Sequence, residues 1–219
     1  MRLRRRIPLP APLLGAGWRE AEFCVLDLET TGLDLRRDEI VSYGAAIVRQ
    51  ARIPCARVAY AQVRPRRPSS VAALRVHGLR GVDLAGAAPI DDVLDDIIDL
   101  LSGRVLVAHA AWLERAFLNR VLRHRHRRLP RATIDTAALA RSCGLAGPPI
   151  GAEPSLEALA VRLRLPVHTP HHALGDAFTT AEVFLALATR IEREAASARS
   201  PLSVRRLCAL SRRYSRYSR

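Results

Sequence analysis

The pattern of apolar and polar positions predicts strands in the first third of the chain. Near-continuous apolar runs at residues 23–28 and 40–48 contain β-branched and aromatic members, which is typical of buried strands. A weaker strand is predicted over residues 57–63, and a short helix over residues 69–76, with a serine at its start and Gly78 after its end.

Helical spacing dominates from residue 90 onward. Apolar side chains at positions 90, 93, 94, 97, 98 and 101 predict an amphipathic helix with its acids on the opposite face. A short strand is expected at residues 104–108, and further helices at residues 112–126, 136–141, 155–163 and 174–194. Strands followed by alternating strand and helix predict an α/β fold with a mixed central β-sheet flanked by helices.

Composition excludes several classes of protein. Apolar residues make up 49% of the 219 residues, enough for a core, so wholesale disorder is excluded. An uninterrupted apolar stretch long enough for a transmembrane helix is absent, so no membrane association is expected. The four cysteines form no C-x-x-C pair, which argues against a zinc ribbon or a disulfide framework and fits a reducing, cytoplasmic location.

Charge divides the chain into three segments. The formal net charge is +14, and all 35 basic residues are arginine. Most of the excess lies at the ends, which predicts a basic Pro/Arg-rich N-terminal extension (1–21), a central domain (22–190) and an Arg/Ser/Tyr-rich C-terminal tail (191–219). GC-rich coding DNA explains arginine in place of lysine but not the excess of bases over acids. The excess indicates a polyanionic partner, with nucleic acid first.

Two acids interrupt the most apolar predicted strand. Asp27 and Glu29 are two residues apart, so both side chains leave the same face of the strand. Neighbouring carboxylates repel each other, and a divalent cation such as Mg²⁺ or Mn²⁺ between them relieves that repulsion. The alternative is a strand end whose acids lie in solvent.

The wider string FCVLDLETTGLD, residues 23–34, resembles the first motif of the DnaQ-like (DEDDh) 3′-5′ exonuclease family, in the ribonuclease H-like superfamily. VAHAAWLERAFL, residues 107–118, resembles the second motif, with two departures. Ala110 replaces the usual Asn, and Glu114 replaces the usual Asp while keeping a carboxylate on a longer side chain. The alternative is that Glu114 is a surface acid and the site is degraded.

The third motif of the family is H-x-x-x-x-D, in a loop that opens into a helix. His171 and Asp176 have this spacing, and His172 is a competitor four residues before Asp176. Because the family places its histidine in the loop, we favour His171; an earlier helix start would instead put His172 on the face of Asp176.

Two weaker matches complete the resemblance, which covers about residues 22–190. Asp135, in I-D-T-x-x-L-A-R, is interpreted as structural, as a helix cap. His77, in V-H-G-L, is either a contact to the terminal nucleotide or an ordinary surface histidine.

The resemblance implies a two-metal exonuclease. Asp27, Glu29 and Asp176 are expected to hold one cation, Asp27 to bridge to a second supported by Glu114, and His171 to act as general base. The terminal nucleotide is expected against Thr30, Thr31, Gly32, Leu33 and His77.

The implied substrate is a single-stranded 3′ end of DNA or RNA, cleaved to nucleoside 5′-monophosphates. Six arginines and two histidines at 120–131 are expected either to follow the phosphate backbone or to be a solvated face. Two rival functions stay open: a catalytically impaired nucleic-acid-binding protein on the same fold, and a proofreading subunit associated with a DNA polymerase.

Overall fold

A six-stranded mixed sheet organises the protein. The computed structural model describes residues 5–145, 154–195 and 201–215. The strands are β1 (Arg5–Arg6), β2 (Glu22–Thr30), β3 (Ile40–Arg49), β4 (Val58–Arg64), β5 (Ala88–Pro89), β6 (Val105–Ala108), β7 (Arg127–Arg128) and β8 (Thr133–Asp135). The main sheet has the order β5-β4-β3-β2-β6-β8, and β1 pairs with β7 in a separate two-stranded sheet.

Helices cover both faces of this sheet. They are α1 (Val71–His77), α2 (Gly81–Leu84), α3 (Ile90–Leu101), α4 (Trp112–Val121), α5 (Thr136–Ser142), α6 (Leu156–Arg162), α7 (Ala173–Glu194) and α8 (Val204–Tyr214). The predicted α/β fold with a mixed, helix-flanked sheet is confirmed.

The strand directions bring the candidate acids to one edge. β2 runs antiparallel to β3 and parallel to β6, and β6 runs parallel to β8. The carboxyl ends of β2, β6 and β8 therefore lie side by side, as in other open α/β sheets that place ligands at this edge.

Strand β2 separates the two halves of the core. Phe23 and Val25 pack with α7 on one face, while Cys24 and Leu26 pack with α3 and α4 on the other. Because side chains alternate along a strand, Asp27 and Glu29 extend the face covered by α7. The Phe23 ring lies 4.8 Å from that of Phe184 on α7, which fixes the helix over the strand.

One predicted helix ends early. Residues 112–126 were expected to be continuous, but α4 ends at Val121 and a 3₁₀ helix covers Leu122–Arg125. His126 then adopts a left-handed backbone with φ of 52°, which stops the helix and starts β7.

The chain ends differ from the sequence expectation. The segment predicted as a tail includes α8, whose Val204, Leu207 and Cys208 are buried against the core. These apolar residues are few, but their helical spacing puts them on one face against α5 and β8. In the predicted N-terminal extension, Ile7 and Trp18 are also buried. Residues 1–4, 196–200 and 216–219 of these segments lie outside the described residues.

Among the described residues, every helix is too short or too polar to cross a membrane.

Candidate active site

Three carboxylates meet where β2 ends and α7 begins. Asp27, Glu29 and Asp176 each offer an oxygen, and these oxygens all lie within 4.8 Å of one another. Glu29 and Asp176 are buried, and Asp27 is partly accessible. The strand supplies two of the carboxylates at a spacing of two residues, and the helix supplies the third from its first turn.

Gly44 makes this meeting possible. It pairs with Asp27 across β2 and β3, and α7 passes directly over it. A Cβ atom at Gly44 would lie 2.2 Å from the backbone of Ala173 and Leu174, so any side chain there would push Asp176 away. Sequence reasoning missed Gly44; a Gly-Ala-Ala run inside a buried strand was the available signal.

Burial and mutual repulsion disfavour the charged carboxylates. Burial raises the pKa of Asp27, and the neighbouring Glu114, Glu29 and Asp176 raise it further. Burial, then the charge of Asp176, raises the pKa of Glu29 to about 8. The pKa of Asp176 rises to about 6 because burial outweighs the stabilising backbone N–H of His171. A divalent cation would reverse these shifts.

Glu114 lies beside this group. It occupies the first turn of α4 with 3% of its surface exposed, and burial followed by the charges of Asp135 and Glu29 raises its pKa. Among the described residues, Glu114 Oε2 and Asp176 Oδ1 are buried without a hydrogen-bond partner. Buried carboxylate oxygens without donors are unusual in native proteins, and hard oxygen ligands of this kind fit Mg²⁺ or Mn²⁺.

His171 stands beside Asp176. Its backbone has a φ of 60° and its N–H donates to Asp176 Oδ2 at 2.9 Å. Its ring is half exposed, with Nε2 3.9 Å from Glu157 Oε1. The side chain is thus accessible to a substrate. The carboxylate of Glu157 on α6, which sequence reasoning missed, lies next to it.

His172 is engaged elsewhere. Its ring stacks on Tyr60 of β4, with centroids 4.4 Å apart and an interplanar angle of 25°. Residue 172 occupies the N-cap position of α7, so His171 lies in the loop before the helix, as the resemblance implied. Tyr60 was not identified from the sequence, because the contact joins positions more than a hundred residues apart.

The loop after Glu29 is held by its own hydrogen bonds. Thr30 Oγ1 donates to the Gly32 carbonyl at 2.8 Å, and Thr31 Oγ1 donates to Asp38 Oδ1 at 2.8 Å. Leu33 extends outward with 71% of its surface exposed. An exposed leucine on a rigid loop beside the carboxylates can contact a nucleobase.

Arg120 of α4 holds the same loop through hydrogen bonds to its backbone. Its guanidinium donates to the carbonyl of Leu35 at 2.8 Å and to that of Asp38. Asp38 in turn accepts from Thr31 and from the backbone of Asp34. Sequence reasoning placed Arg120 in a general basic face and missed this contact.

His77 lies at the end of α1 beside this loop. Its Nδ1 accepts the N–H of Leu79 at 3.0 Å, and the Thr30 backbone lies next to the ring. Burial lowers the pKa of His77, so the ring is neutral near pH 7. Helix α1 is docked on the loop through the Ser70 N–H, which donates to the Thr31 carbonyl at 2.8 Å.

Asp135 is a helix cap, which confirms its structural interpretation. Its Oδ1 accepts the N–H groups of Ala137 and Ala138 at the start of α5. The same oxygen accepts the N–H of Ala110 at 3.1 Å. Ala110 has a φ of 54°, a left-handed conformation that the Asn of the related motif adopts more readily than alanine. His109 contacts Thr136 and the Pro154 carbonyl, so it joins β6 to α5 and to the start of α6.

Comparison with known proteins agrees with these motifs. The sequence model of the RNase_T exonuclease family matches residues 24–184. The DNA polymerase III subunit epsilon of Rickettsia conorii is 32% identical over 170 residues, covering 74% of this chain and 72% of the relative. The PolC-type DNA polymerase III of Thermotoga petrophila is 32% identical over 171 residues, or 78% of this chain, but the match spans only 12% of that polymerase.

Solved structures share the fold. A structure described as exonuclease X in complex with 5′ overhanging duplex DNA aligns with a TM-score of 0.64 at 24% identity, covering 86% of this chain and 99% of that one. The nuclease domain of 3′hExo, described as a DEDDh family member bound to rAMP, aligns with a TM-score of 0.64 at 16% identity, covering 86% and 100%. With its fold, carboxylate cluster and family match in agreement, this chain belongs to the RNase_T exonuclease family, a DnaQ-like group within the ribonuclease H-like superfamily.

Proposed function

We propose that this protein is a metal-dependent 3′-5′ exonuclease that releases nucleoside 5′-monophosphates from DNA or RNA. The observation that carries the proposal is the meeting of Asp27, Glu29 and Asp176 within 4.8 Å. Glu114 lies beside them, and its buried Oε2 has no hydrogen-bond partner among the described residues. We therefore include Glu114 as a fourth metal ligand.

Four carboxylates are proposed to bind the metal. Asp27, Glu29 and Asp176 would hold one cation, and Asp27 with Glu114 would hold a second. A bound divalent cation would supply Lewis-acid chemistry, which stabilises charge on phosphate oxygens and lowers the pKa of water. The carboxylates fit this role because burial leaves them poorly compensated without positive charge.

His171 is proposed as the general base. Its ring belongs to the loop before α7 and is half exposed, and its backbone contacts Asp176 of the carboxylate cluster. In the neutral form, Nε2 accepts the proton of the attacking water, and the nearby Glu157 carboxylate stabilises the imidazolium that forms. The backbone contact between His171 and Asp176 keeps the base next to the ligand set.

The loop of Thr30, Thr31, Gly32 and Leu33 is proposed to hold the terminal nucleotide, with His77 beside it. The internal hydrogen bonds of the loop make it rigid before substrate arrives, which lowers the entropic cost of binding. Leu33 packs against the terminal base.

The cellular role, the partners and the location of this activity are also proposals. Because one relative is an epsilon subunit of DNA polymerase III, association with a polymerase is a candidate role alongside free-standing repair or RNA turnover. The cytoplasmic location expected from the cysteine pattern stays a prediction.

Degradation of matched single-stranded DNA and RNA oligonucleotides labelled at the 5′ end tests this function. We expect stepwise shortening from the 3′ end with Mg²⁺ or Mn²⁺, none with a chelator, and arrest at a 3′-terminal phosphorothioate. The preferred strand identifies the substrate class. Tight oligonucleotide binding without cleavage under any metal condition would support the rival non-catalytic function, for which Ala110 and Glu114 are the motivating departures.

A further inference from the structure

A basic cavity lies beside the first turn of α4. Its volume is about 270 Å³, and α4, β8 and the end of α8 form its walls. Arg115, Arg131 and Arg212 line it, together with the hydroxyl groups of Thr133 and Ser211. A water molecule occupies about 30 Å³ of liquid, so the cavity has room for a phosphate group.

Among the residues that the structure describes, the arginines around this cavity have no ion-pair partner. Within the described ranges, neither the three lining arginines nor the neighbouring Arg6 and Arg128 form a salt bridge. Arg115 is half-buried, and burial followed by the charge of Arg6 lowers its pKa. Burial, then the charges of Arg128 and Arg131, also lowers the pKa of Arg6. The positive charges of Arg6, Arg115, Arg128 and Arg131 thus act on one another.

The neutral polar groups of the cavity are arranged as donors. Ser211 Oγ already accepts the N–H of Asp135, and Thr133 Oγ1 accepts from Arg115, so each hydroxyl hydrogen is left to donate to a ligand. The Asp135 carboxylate also reaches the wall, but its Oδ1 accepts three backbone N–H groups in capping α5 and fixing Ala110. Guanidinium and hydroxyl donors together are the groups that recognise phosphate oxygens.

We propose that this cavity, bounded by Arg115, Arg131 and Arg212, is a phosphate-binding site separate from the carboxylate cluster. Glu114 and Arg115 are consecutive residues of α4, but they serve different sites. Glu114 belongs to the proposed metal ligands, and Arg115 lines the anion cavity. The ligand is a phosphate group, supplied either by a strand of nucleic acid or by a free phosphate monoester. The site requires no assumption about exonuclease activity.

Phosphate-dependent thermal stability of the full chain tests the site. Unfolding is followed with inorganic phosphate at about 20 mM and with chloride at equal ionic strength, in chelator so that the carboxylates hold no metal. We expect phosphate to raise the Tm by about 2–5 °C. Arg131→Gln combined with Arg212→Gln should abolish that rise, because both exposed arginines line the cavity.

Arg205→Gln combined with Arg206→Gln is the matched control. It removes the same charge from exposed positions of α8 that do not line the cavity, so the phosphate shift should remain. No phosphate shift in the unaltered protein, or an equal loss of the shift in both double variants, would overturn the site. Arg131→Gln alone, which leaves α8 intact, should at least halve the shift; a full shift in this variant contradicts the proposal.

Binding of a labelled single-stranded oligonucleotide in chelator distinguishes the two sources of phosphate. If a strand occupies the cavity, the Arg131 and Arg212 double variant should bind at least about fivefold more weakly than the control variant. If both variants bind the strand equally while only the first loses the phosphate shift, the site takes a free phosphate monoester.

Discussion

At the residue scale, three acids explain the site because each is placed where its charge is costly. Asp27 and Glu29 continue a face that is apolar at Phe23 and Val25, and Asp176 lies on a helix that packs on that face. A protein retains such an arrangement at a cost in stability unless a cation compensates the charges. The position of these acids on a strand that would otherwise be core therefore supports the proposed metal site.

The two adjacent histidines should behave differently. His171→Ala should lower kcat by about 10²-fold, the usual contribution of a general base. His172→Ala is the control, because its ring stacks on Tyr60 and not on the carboxylates. A larger loss in the His172 variant than in the His171 variant would contradict the assignment of the base.

Some site residues were predictable from sequence and others were not. The D-x-E pair and the H-x-x-x-x-D spacing are local, so they identified Asp27, Glu29 and Asp176, which the structure brings together. Gly44 and Tyr60 act through contacts between elements distant in sequence, and no local pattern marks such contacts. Their roles follow from the position of α7 over β3 and β4.

At the element scale, the crossing of α7 over β3 sets the geometry of the proposed metal ligands. Replacing Gly44 by alanine should lower the Tm by about 5 °C or more, because the new Cβ would overlap the backbone of α7. Gly86→Ala is the matched control, since a Cβ there meets no atom within 4 Å. A Gly44→Ala protein as stable as the control would show that the helix is not held as closely as described.

The contact between α4 and the loop carrying Leu33 is the second determinant at this scale. Arg120→Ala should raise KM by about tenfold with a smaller effect on kcat, because charged hydrogen bonds that hold the loop are lost. Arg123→Ala removes an arginine one turn further along and should change KM little. An equal rise in both variants would indicate a general charge effect instead of loop positioning.

The elements themselves followed closely from the sequence. The helix predicted at residues 90–101 coincides with α3, since strong amphipathic periodicity defines its ends. Helix α8 was underestimated because its apolar stripe of Val204, Leu207 and Cys208 is narrow among arginines. Short strands such as β5 and β8 have too few residues for any periodic signal; they form because neighbouring strands offer pairing partners.

At the scale of the whole molecule, the chain ends that carry most of the positive charge are also folded parts of the protein. The arginine-rich ends contain Ile7, Trp18 and α8, which pack against the rest of the protein. Removing both ends entirely would therefore remove part of the core as well as positive charge. The contribution of the ends to nucleic-acid affinity is better tested by replacing exposed arginines than by truncation.

Metal-free stability should depend on pH through the carboxylate cluster. The pKa values of Glu29 and Asp176 rise to about 8 and about 6 on folding, from ordinary values of 4.5 and 3.8. Between about pH 4 and 8 the folded protein therefore binds more protons than the unfolded chain, and its free energy of unfolding falls as pH rises.

In chelator, the Tm should decrease across that pH range, and saturating Mn²⁺ at pH 8 should raise it by about 5 °C or more. Glu29→Gln should weaken both effects because the neutral amide carries no charge to compensate. A Tm in chelator that rises between pH 5 and 8, or that ignores Mn²⁺, would contradict the electrostatic description of the site.

The carboxylates of β2 and α7 are proposed to support metal-dependent hydrolysis. Quantifying nucleoside 5′-monophosphates released from a single-stranded oligonucleotide, by the unaltered protein and by Asp27→Asn, tests it most directly. We predict release with Mg²⁺ or Mn²⁺ that falls by about 10²-fold or more in the variant, with an unchanged circular dichroism spectrum. Release at an equal rate by Asp27→Asn would show that this carboxylate is not required for hydrolysis.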